Sequence, residues 1–410
     1  MNRDRLLQRF LQYVRLDTMA NGGTDEYPSS PGQIELGKLV VEHLQEIGAS
    51  DISQDKHGIV MATIPATAEG IPTVAFNAHL DTSPETTAAN VKPQIIDNYA
   101  GGDIPLTGDT SKVITVKKCA ELADLKGKTL ITTDGTTLLG GDDKAGMAIM
   151  MELGNYLLEN PGIEHGPVRL LFTCDEEIGR GTLHCDIDKI DSTVCYTFDG
   201  GGENDVDIET FSADLAVIEI SGINIHPAIA KDKMVNGLRI AGEFLARLPR
   251  EVSPECTEGR DGFMHPYSIE GGVASVEIQI ILRSFESAQL EVYANQLREL
   301  AKEVAAEFPS CEIDVKTSRQ YRNLGDGLKN EPRAVEYAVE AHKRLGREAK
   351  LGIIRGGTDG SQFTEKGLPT PNLSSGQHNI HSPLEFACLD EMLAACEVGL
   401  EIVKVWAEKR

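Results

Sequence analysis

Basic residues are scarce in this sequence: 39 Lys and Arg stand against 64 Asp and Glu among 410 residues, a formal net charge of -25. So acidic a chain repels phosphate backbones and anionic headgroups, which argues against nucleic acid and membrane surfaces as partners. An apolar run long enough to span a bilayer is also missing. The opening stretch "MNRDRLLQRFLQYVRLD" reads as an amphipathic helix with both charge signs and lacks the apolar core of a secretory leader, so a cytoplasmic location is expected. The eight cysteines are scattered and include no CxxC, which predicts reduced thiols that pack as small apolar residues. No internal repeat and no low-complexity segment interrupt the chain.

What is present is the composition of a globular protein, 40% hydrophobic and 25% charged, in a chain too long for one ordinary core. Short apolar strand-like runs alternate with helical ones through the first half. Thr73–Thr82, Gly127–Leu139, Val168–Glu177 and Val194–Gly201 read as strands, and Asp143–Asn160 as a helix with a Met and Leu stripe. That alternation predicts an α/β fold with a mostly parallel sheet and helices on both faces. From Ser212 to Ser318 the order becomes β-α-β-β-α-β, the split unit of ferredoxin-like folds, with its first helix expected over residues 228–248. The expected organisation is therefore a catalytic domain of residues 1–211 and 319–410, with residues 212–318 inserted into it.

Ligands of parallel sheets bind beyond the carboxyl ends of the strands, and there the sequence places unusual polar residues. "VRLLF" runs directly into Asp175, Glu176 and Glu177, although buried like charges are costly without a partner. His79 and Asp81 are two apart and so point the same way on an extended chain; one can ligate a metal while the other holds the imidazole. Glu176 and Glu177 project to different sides, so one can bind while its neighbour faces the water. Asp142 follows Gly140 and Gly141, which permit close approach, and Asp143 is placed to cap the helix after it. Asp199 ends its strand ahead of three glycines, and "HNIHSPLEF" supplies His381. His43, His57, His165, His184, His265, His342 and His378 match no ligand pattern and are expected to be structural.

Taken in order, "NAHLDTSPE", "LITTDGTTLLGGDDKAG", "DEEIGRG", "YTFDGG", "KMVNGL", "SPECTEGRDGF" and "IRGGTDGSQF" resemble the motifs of the dinuclear-zinc exopeptidases related to aminoacylase and glutamate carboxypeptidase. The likeness covers essentially the whole chain and is nearest to the tripeptide-aminopeptidase branch. It implies that Asp142 bridges two zinc ions, with His79 and Asp199 completing one and Glu177 and His381 the other; manganese or cobalt would suit the same donors. It further implies that Glu176 is the general base, Asp81 the partner of His79, and Asp175 a solvated or hydrogen-bonded neighbour. The inserted domain is implied to be a lid or dimerisation domain, carrying His226 as oxyanion donor from its own chain or from the partner of a homodimer. Arg283 and Arg355 are candidates to read a peptide carboxylate, against the ordinary alternative of a surface salt bridge. The chain departs from the family pattern at Gly141, at Ala228 after "HP", and in the "HNIHSPLEF" ending.

The expected activity is hydrolysis of the first residue from small peptides by a metal-activated water. Two alternatives stay open on sequence: a related amide hydrolase acting on N-acyl amino acids or dipeptides, and a non-catalytic metal-binding scaffold. A free amine on the substrate separates the first from the peptidase, and the retained Glu176 counts against the second.

Overall fold

The computed structural model describes residues 1–409. The chain divides into two compact units, one of residues 1–208, 327–353 and 358–410, the other of residues 209–326 and 354–357.

The larger unit is built on an eleven-stranded sheet. At its centre Val168–Thr173, Val74–His79, Val194–Gly201 and Asn372–His378 lie side by side in parallel. In the first three of these, apolar residues occupy both faces of the strand, as burial beneath two helical layers favours, whereas Asn372–His378 is buried with mostly polar side chains. Antiparallel strands flank them: Val60–Ile64 and Ser50–Gln54 on one margin, and Phe386–Cys388, Leu130–Thr132 and Gln94–Ile96 on the other. The sheet is thus parallel where the ligand-bearing strands run and antiparallel at the margins, where strands can join without a crossover helix.

Both faces are covered. On one, Phe76 stacks on Phe198 at 5.4 Å, and Phe198 and Leu153 of the helix Gly141–Glu159 both lie against Gly399 of the helix Leu389–Glu408. On the other, Ala75, Leu171 and Cys195 pack with Ile190 and with Phe363 of the helix Asp359–Glu365.

The smaller unit has the order strand–helix–strand–strand–helix–strand, its sheet arranged as Phe263–Gly271, Ser275–Ser284, Ser212–Ser221 and Glu312–Tyr321, all antiparallel. Ile218, Ile220, Ile278 and Ile280 form its buried face against Ile240 and Phe244 of one helix and Leu290 and Leu297 of the other. The first helix is shorter than the sequence suggests, Gly237–Ala246 instead of residues 228–248. Asn236 caps it by accepting the Leu238 N–H at 3.0 Å, Val235 bridges back to Ile223, and Asp232 takes a φ of +60°. Polar side chains that compete for backbone hydrogen bonds end helices in this way.

Candidate active site

Strand register assembles the site. His79 ends its strand opposite Thr173, the last residue of the neighbouring strand, while Asn77 pairs with Thr197 on the other side. The residues that follow, Glu176 and Glu177 after one strand and Asp199 on the other, are delivered to the same end of the sheet.

His79 is 1% exposed and held from both ring nitrogens. Nδ1 faces the Asp81 backbone oxygen at 3.1 Å and its carboxylate at 3.3 Å. Nε2 faces Asp142 Oδ1 at 2.9 Å and Asp199 Oδ1 at 3.9 Å. The second oxygen of Asp142 lies 3.2 Å from Nε2 of His381, and that nitrogen is 2.9 Å from Glu177 Oε2. Asp142 therefore stands between two imidazoles with one oxygen turned to each. Donor atoms that share one tetrahedral zinc at about 2.0–2.1 Å lie roughly 3.3 Å from one another, which is close to these separations.

Several carboxylates serve backbone amides instead. The Asp81 carboxylate, beyond His79, accepts the Glu176 N–H at 3.0 Å and the Glu177 N–H at 3.1 Å, so one acid orients a histidine and the short 3₁₀ turn Glu176–Ile178. Asp143 accepts the N–H groups of His79 and Gly146, both at 3.2 Å, capping the helix where regular φ and ψ resume. Its carboxylate also lies within ligating distance of His79 and Asp199, but those two amides occupy it. Asp175 is fully buried: it accepts from Ser29 N and Oγ at 2.7 and 2.5 Å and from Gln33 Nε2 at 2.6 Å. Of the two expectations for Asp175, solvated or hydrogen-bonded, the structure takes the second and corrects the first.

Sequence reasoning missed Glu385, four residues after His381 within the quoted "HNIHSPLEF". It is buried and accepts the N–H groups of Leu139, Gly140 and Asp142 at 2.8, 2.9 and 3.1 Å, fixing the turn that presents Asp142. Gly140 has a φ of +81°, which favours glycine, and a Cβ on Gly141 would stand a tight 3.2 Å from the Glu385 carboxylate, so a larger residue there would press on that contact. Gln377, also missed, donates to Asp199 Oδ1 at 3.1 Å.

The electrostatics call for a cation. Burial, then Asp142, pushes Glu177 up to about 7. Burial likewise raises Asp199 and Glu176 well above the carboxylate range, Asp142 and Asp199 adding to the respective effects. Against burial, hydrogen bonds from His381 and His79 hold Asp142 low, and Asp142 with Glu177 raises His381 to about 11. Two imidazoles cannot neutralise this many acids, and Glu177 Oε1 is buried without a hydrogen-bond partner. Among the described residues, His79, Asp142 and Glu177 form one set with ligand atoms within 4.8 Å of one another. The nitrogen and oxygen donors, their spacing and the orphaned oxygen fit a metal.

The other expected residues belong to the smaller unit. His226 is exposed and precedes Pro227–Ile229, its Nδ1 accepting the Ala228 N–H at 3.2 Å. Arg355 donates to the carbonyls of Gly259 and Asp261 at 2.8 and 2.9 Å and lies over the Phe211 ring at 5.1 Å. Arg283 donates to the Arg355 carbonyl at 3.3 Å, with its Nε buried and unpartnered. The partners of both guanidiniums are carbonyls, rings and, for Arg355, the Thr257 hydroxyl at 3.0 Å, so the surface salt bridge does not describe either. Among the remaining histidines, His43 bonds Tyr13 at 2.9 Å, His57 stacks on His184 at 3.7 Å, and His378 bonds Glu391 at 2.6 Å.

A family model described as peptidase family M20/M25/M40 matches residues 134–405. Peptidase T of Geobacillus sp. (strain WCH70) is 44% identical over 408 residues, covering 99% of this chain and all of that relative. Peptidase T of Listeria monocytogenes serotype 4a (strain HCC23) is 42% identical over the same length, again covering 99% of this chain and all of the relative. Among solved structures, aminopeptidase PepT of Bacillus cereus superposes with a TM-score of 0.77 at 24% identity, covering 99% of each chain. A tripeptidase of Staphylococcus aureus superposes at 0.78 and 23%, covering 100% of this chain and 99% of that one. A dinuclear metal binding peptidase of Bacillus subtilis follows at 0.67 and 16%, with 100% and 99% covered.

Proposed function

This chain belongs to the M20/M25/M40 peptidase family, and from that premise we propose that it is a tripeptide aminopeptidase with two zinc ions. The observation that carries the reading is Asp142, whose two oxygens are divided between His79 and His381 at 2.9 and 3.2 Å. That is the disposition a bridging carboxylate needs. In this reading His79, Asp142 and Asp199 hold one ion and Asp142, Glu177 and His381 the other. Two relatives named Peptidase T, covered end to end at 44% and 42% identity, support a tripeptide as substrate.

When bound, such an ion pair supplies an activated water and polarises the scissile carbonyl. The chain does the rest. Glu176 takes the proton of the attacking water and returns it to the leaving amine. Burial first, and Asp199 after it, keep its proton affinity high, which suits a group that must both accept and release. Asp81 fixes the direction of Glu176 through the backbone N–H at 3.0 Å. Because Nδ1 of His226 accepts a backbone N–H, Nε2 carries the proton and can be given to the oxyanion. Arg283 or Arg355 is assigned the peptide carboxylate. The second unit acting as a lid or dimerisation domain, a homodimer, and a cytoplasmic location complete the proposal; eight free cysteines support the last.

The deciding experiment is turnover of trialanine and of N-acetyl-trialanine by zinc-loaded protein. Release of free alanine from the first but not the second is expected. Hydrolysis of the blocked peptide alone would make the protein a deacylase-like amide hydrolase, and no turnover of either would leave a binding scaffold.

A further inference from the structure

The "IRGGTDGSQF" segment enters the sequence reading through Arg355, yet its second half serves another place. Asp359, the first residue of the helix Asp359–Glu365, is 1% exposed. Its Oδ2 accepts the Thr173 hydroxyl at 2.5 Å, and Thr173 is where the loop carrying Glu176 and Glu177 begins. Its Oδ1 has no hydrogen-bond partner and lies against Gly181, where a Cβ would approach to 1.8 Å; Gly181 is where the loop ends. One turn further along the helix, Gln362 Nε2 donates to the Gly179 carbonyl at 3.1 Å, while its Oε1 accepts the Thr182 hydroxyl at 2.8 Å. Both stems of the loop rest on one turn of helix.

The contact continues sideways. Thr173 Oγ1 accepts from Asn77 Nδ2 at 3.2 Å, and Asn77 Oδ1 accepts from Thr197 Oγ1 at 3.2 Å. Asn77 lies two residues before His79, and Thr197 two before Asp199. Asn77, Thr173, Thr197 and Asp359 are all at most 1% exposed. A carboxylate can only accept, so it directs the chain: Thr197 donates to Asn77, Asn77 to Thr173, and Thr173 to Asp359. One line of hydrogen bonds thus crosses the three strands whose ends carry His79, the glutamate pair and Asp199.

We infer that Asp359 is a positioning residue that sets the loop bearing Glu176 and Glu177 at the level of His79 and Asp199. This rests on the roles proposed above for those residues. A purely structural filler would be better made from apolar side chains, since a buried carboxylate with one oxygen unpaired costs stability. Burial pushes Asp359 up to about 6, so near neutral pH it retains the charge that orders the chain. The need for order is geometric: a displacement of about 1 Å at a reacting group can cost on the order of 100-fold in rate.

The test compares Asp359→Asn, Thr173→Val and Thr173→Ser in the full-length protein, reading zinc affinity by chelator competition alongside kcat, KM and thermal stability. In Thr173→Val and Asp359→Asn, zinc should bind roughly 10–100-fold more weakly and kcat on trialanine should fall by about the same factor, with KM changed less than about threefold. Thr173→Ser, which restores the hydroxyl, should recover both within about threefold. Variants that melt earlier but keep wild-type zinc affinity and kcat would overturn the inference, as would failure of serine to rescue. If Asp359→Asn does not fold, Gln362→Met loosens only the exit of the loop; a several-fold lower kcat supports the inference and wild-type behaviour overturns it. Should the wild-type protein not cleave trialanine, the substrate reading fails while the zinc measurement still decides the role of Asp359.

Discussion

Replacing Asp81 by asparagine exchanges one carboxylate oxygen for an NH₂ group and should unbalance the two halves of the proposed metal centre. Asp81 is fully buried, and its two oxygens divide their work. Oδ1 faces His79 Nδ1 at 3.3 Å and accepts the Glu176 N–H at 3.0 Å, while Oδ2 accepts the Glu177 N–H at 3.1 Å. An amide keeps one acceptor and turns the other position into a donor. With its oxygen in the Oδ1 position, the contacts to His79 and Glu176 survive and the Glu177 N–H faces an NH₂ group. The opposite flip leaves two donors, His79 Nδ1–H and Glu176 N–H, against that group. The first arrangement loses less and should be adopted. His79 keeps, in addition, the Asp81 backbone oxygen at 3.1 Å.

Losing a hydrogen bond to a buried charge and orphaning its donor costs about 1.5–3 kcal/mol, here concentrated on Glu177. Isothermal titration of the metal-free protein with zinc should therefore separate into two classes of site in Asp81→Asn. The equivalent held by His79 and Asp199 should stay close to wild type. The equivalent held by Glu177 and His381 should weaken by roughly 10–100-fold, the usual consequence of removing a ligand's outer support. Equal weakening of both equivalents would show that Asp81 acts mainly through His79, and an unchanged titration would show that the two backbone contacts do not matter. Either result refutes the reasoning.

Glu176→Gln should keep both zinc equivalents and the fold while kcat on a tripeptide falls by about 10²–10⁴ or more; loss of a metal equivalent, measured on the same preparation, would mean that Glu176 is a ligand. In chelated protein, burial raises Glu385 and Glu177 from 4.5 to about 7. Between those values the folded state holds protons that the unfolded chain has lost, so stability should fall as pH rises through that window. Zinc binds the deprotonated ligand and should offset this loss; a melting temperature that climbs with pH in chelated protein contradicts the assignment. Arg283→Ala and Arg355→Ala should each be compared on a tripeptide and its C-terminal amide. A carboxylate-reading arginine contributes about 1.5–3 kcal/mol, so kcat/KM should drop roughly tenfold to a hundredfold on the acid and little on the amide. Equal drops on both assign that arginine to packing, the role that the bonds of Arg355 to the carbonyls of Gly259 and Asp261 would then represent.

The fold class was legible because three of the central strands, Val168–Thr173, Val74–His79 and Val194–Gly201, bury both faces and read as largely apolar runs; the fourth, Asn372–His378, is buried but polar and gave no such signal. His79, Asp81, Asp142, Glu176, Glu177, Asp199 and His381, singled out by spacing and resemblance, do come together at one end of that sheet. What the sequence hides are partners far away along the chain. Asp175 lies 146 residues from Ser29 and 142 from Gln33, and nothing local distinguishes it from a solvated acid. The overlong helix over residues 228–248 failed for a different reason. Its apolar spacing is helical, but Asn236 offers a cap that local pattern counting does not weigh against continuation.

Glu385 and Asp359 expose the deeper limit. Acids crowd this end of the sheet, and composition cannot divide them. The division follows from where backbone amides point. Asp81, Asp143, Asp175 and Glu385 each accept at least one main-chain N–H, which satisfies their charge and spends it on holding loops in place. Asp142 and Glu177 turn oxygens toward imidazole nitrogens instead, and Glu177 keeps one oxygen with no partner at all. A buried acid saturated by amides has little left to offer a cation; one left unsaturated is costly until a cation arrives. Ligand and scaffold are thus the same side chain in two hydrogen-bonding states, and the glycine-permitted turn at Gly140 and Gly141 decides which state Asp142 takes by giving its backbone N–H, and not its carboxylate, to Glu385.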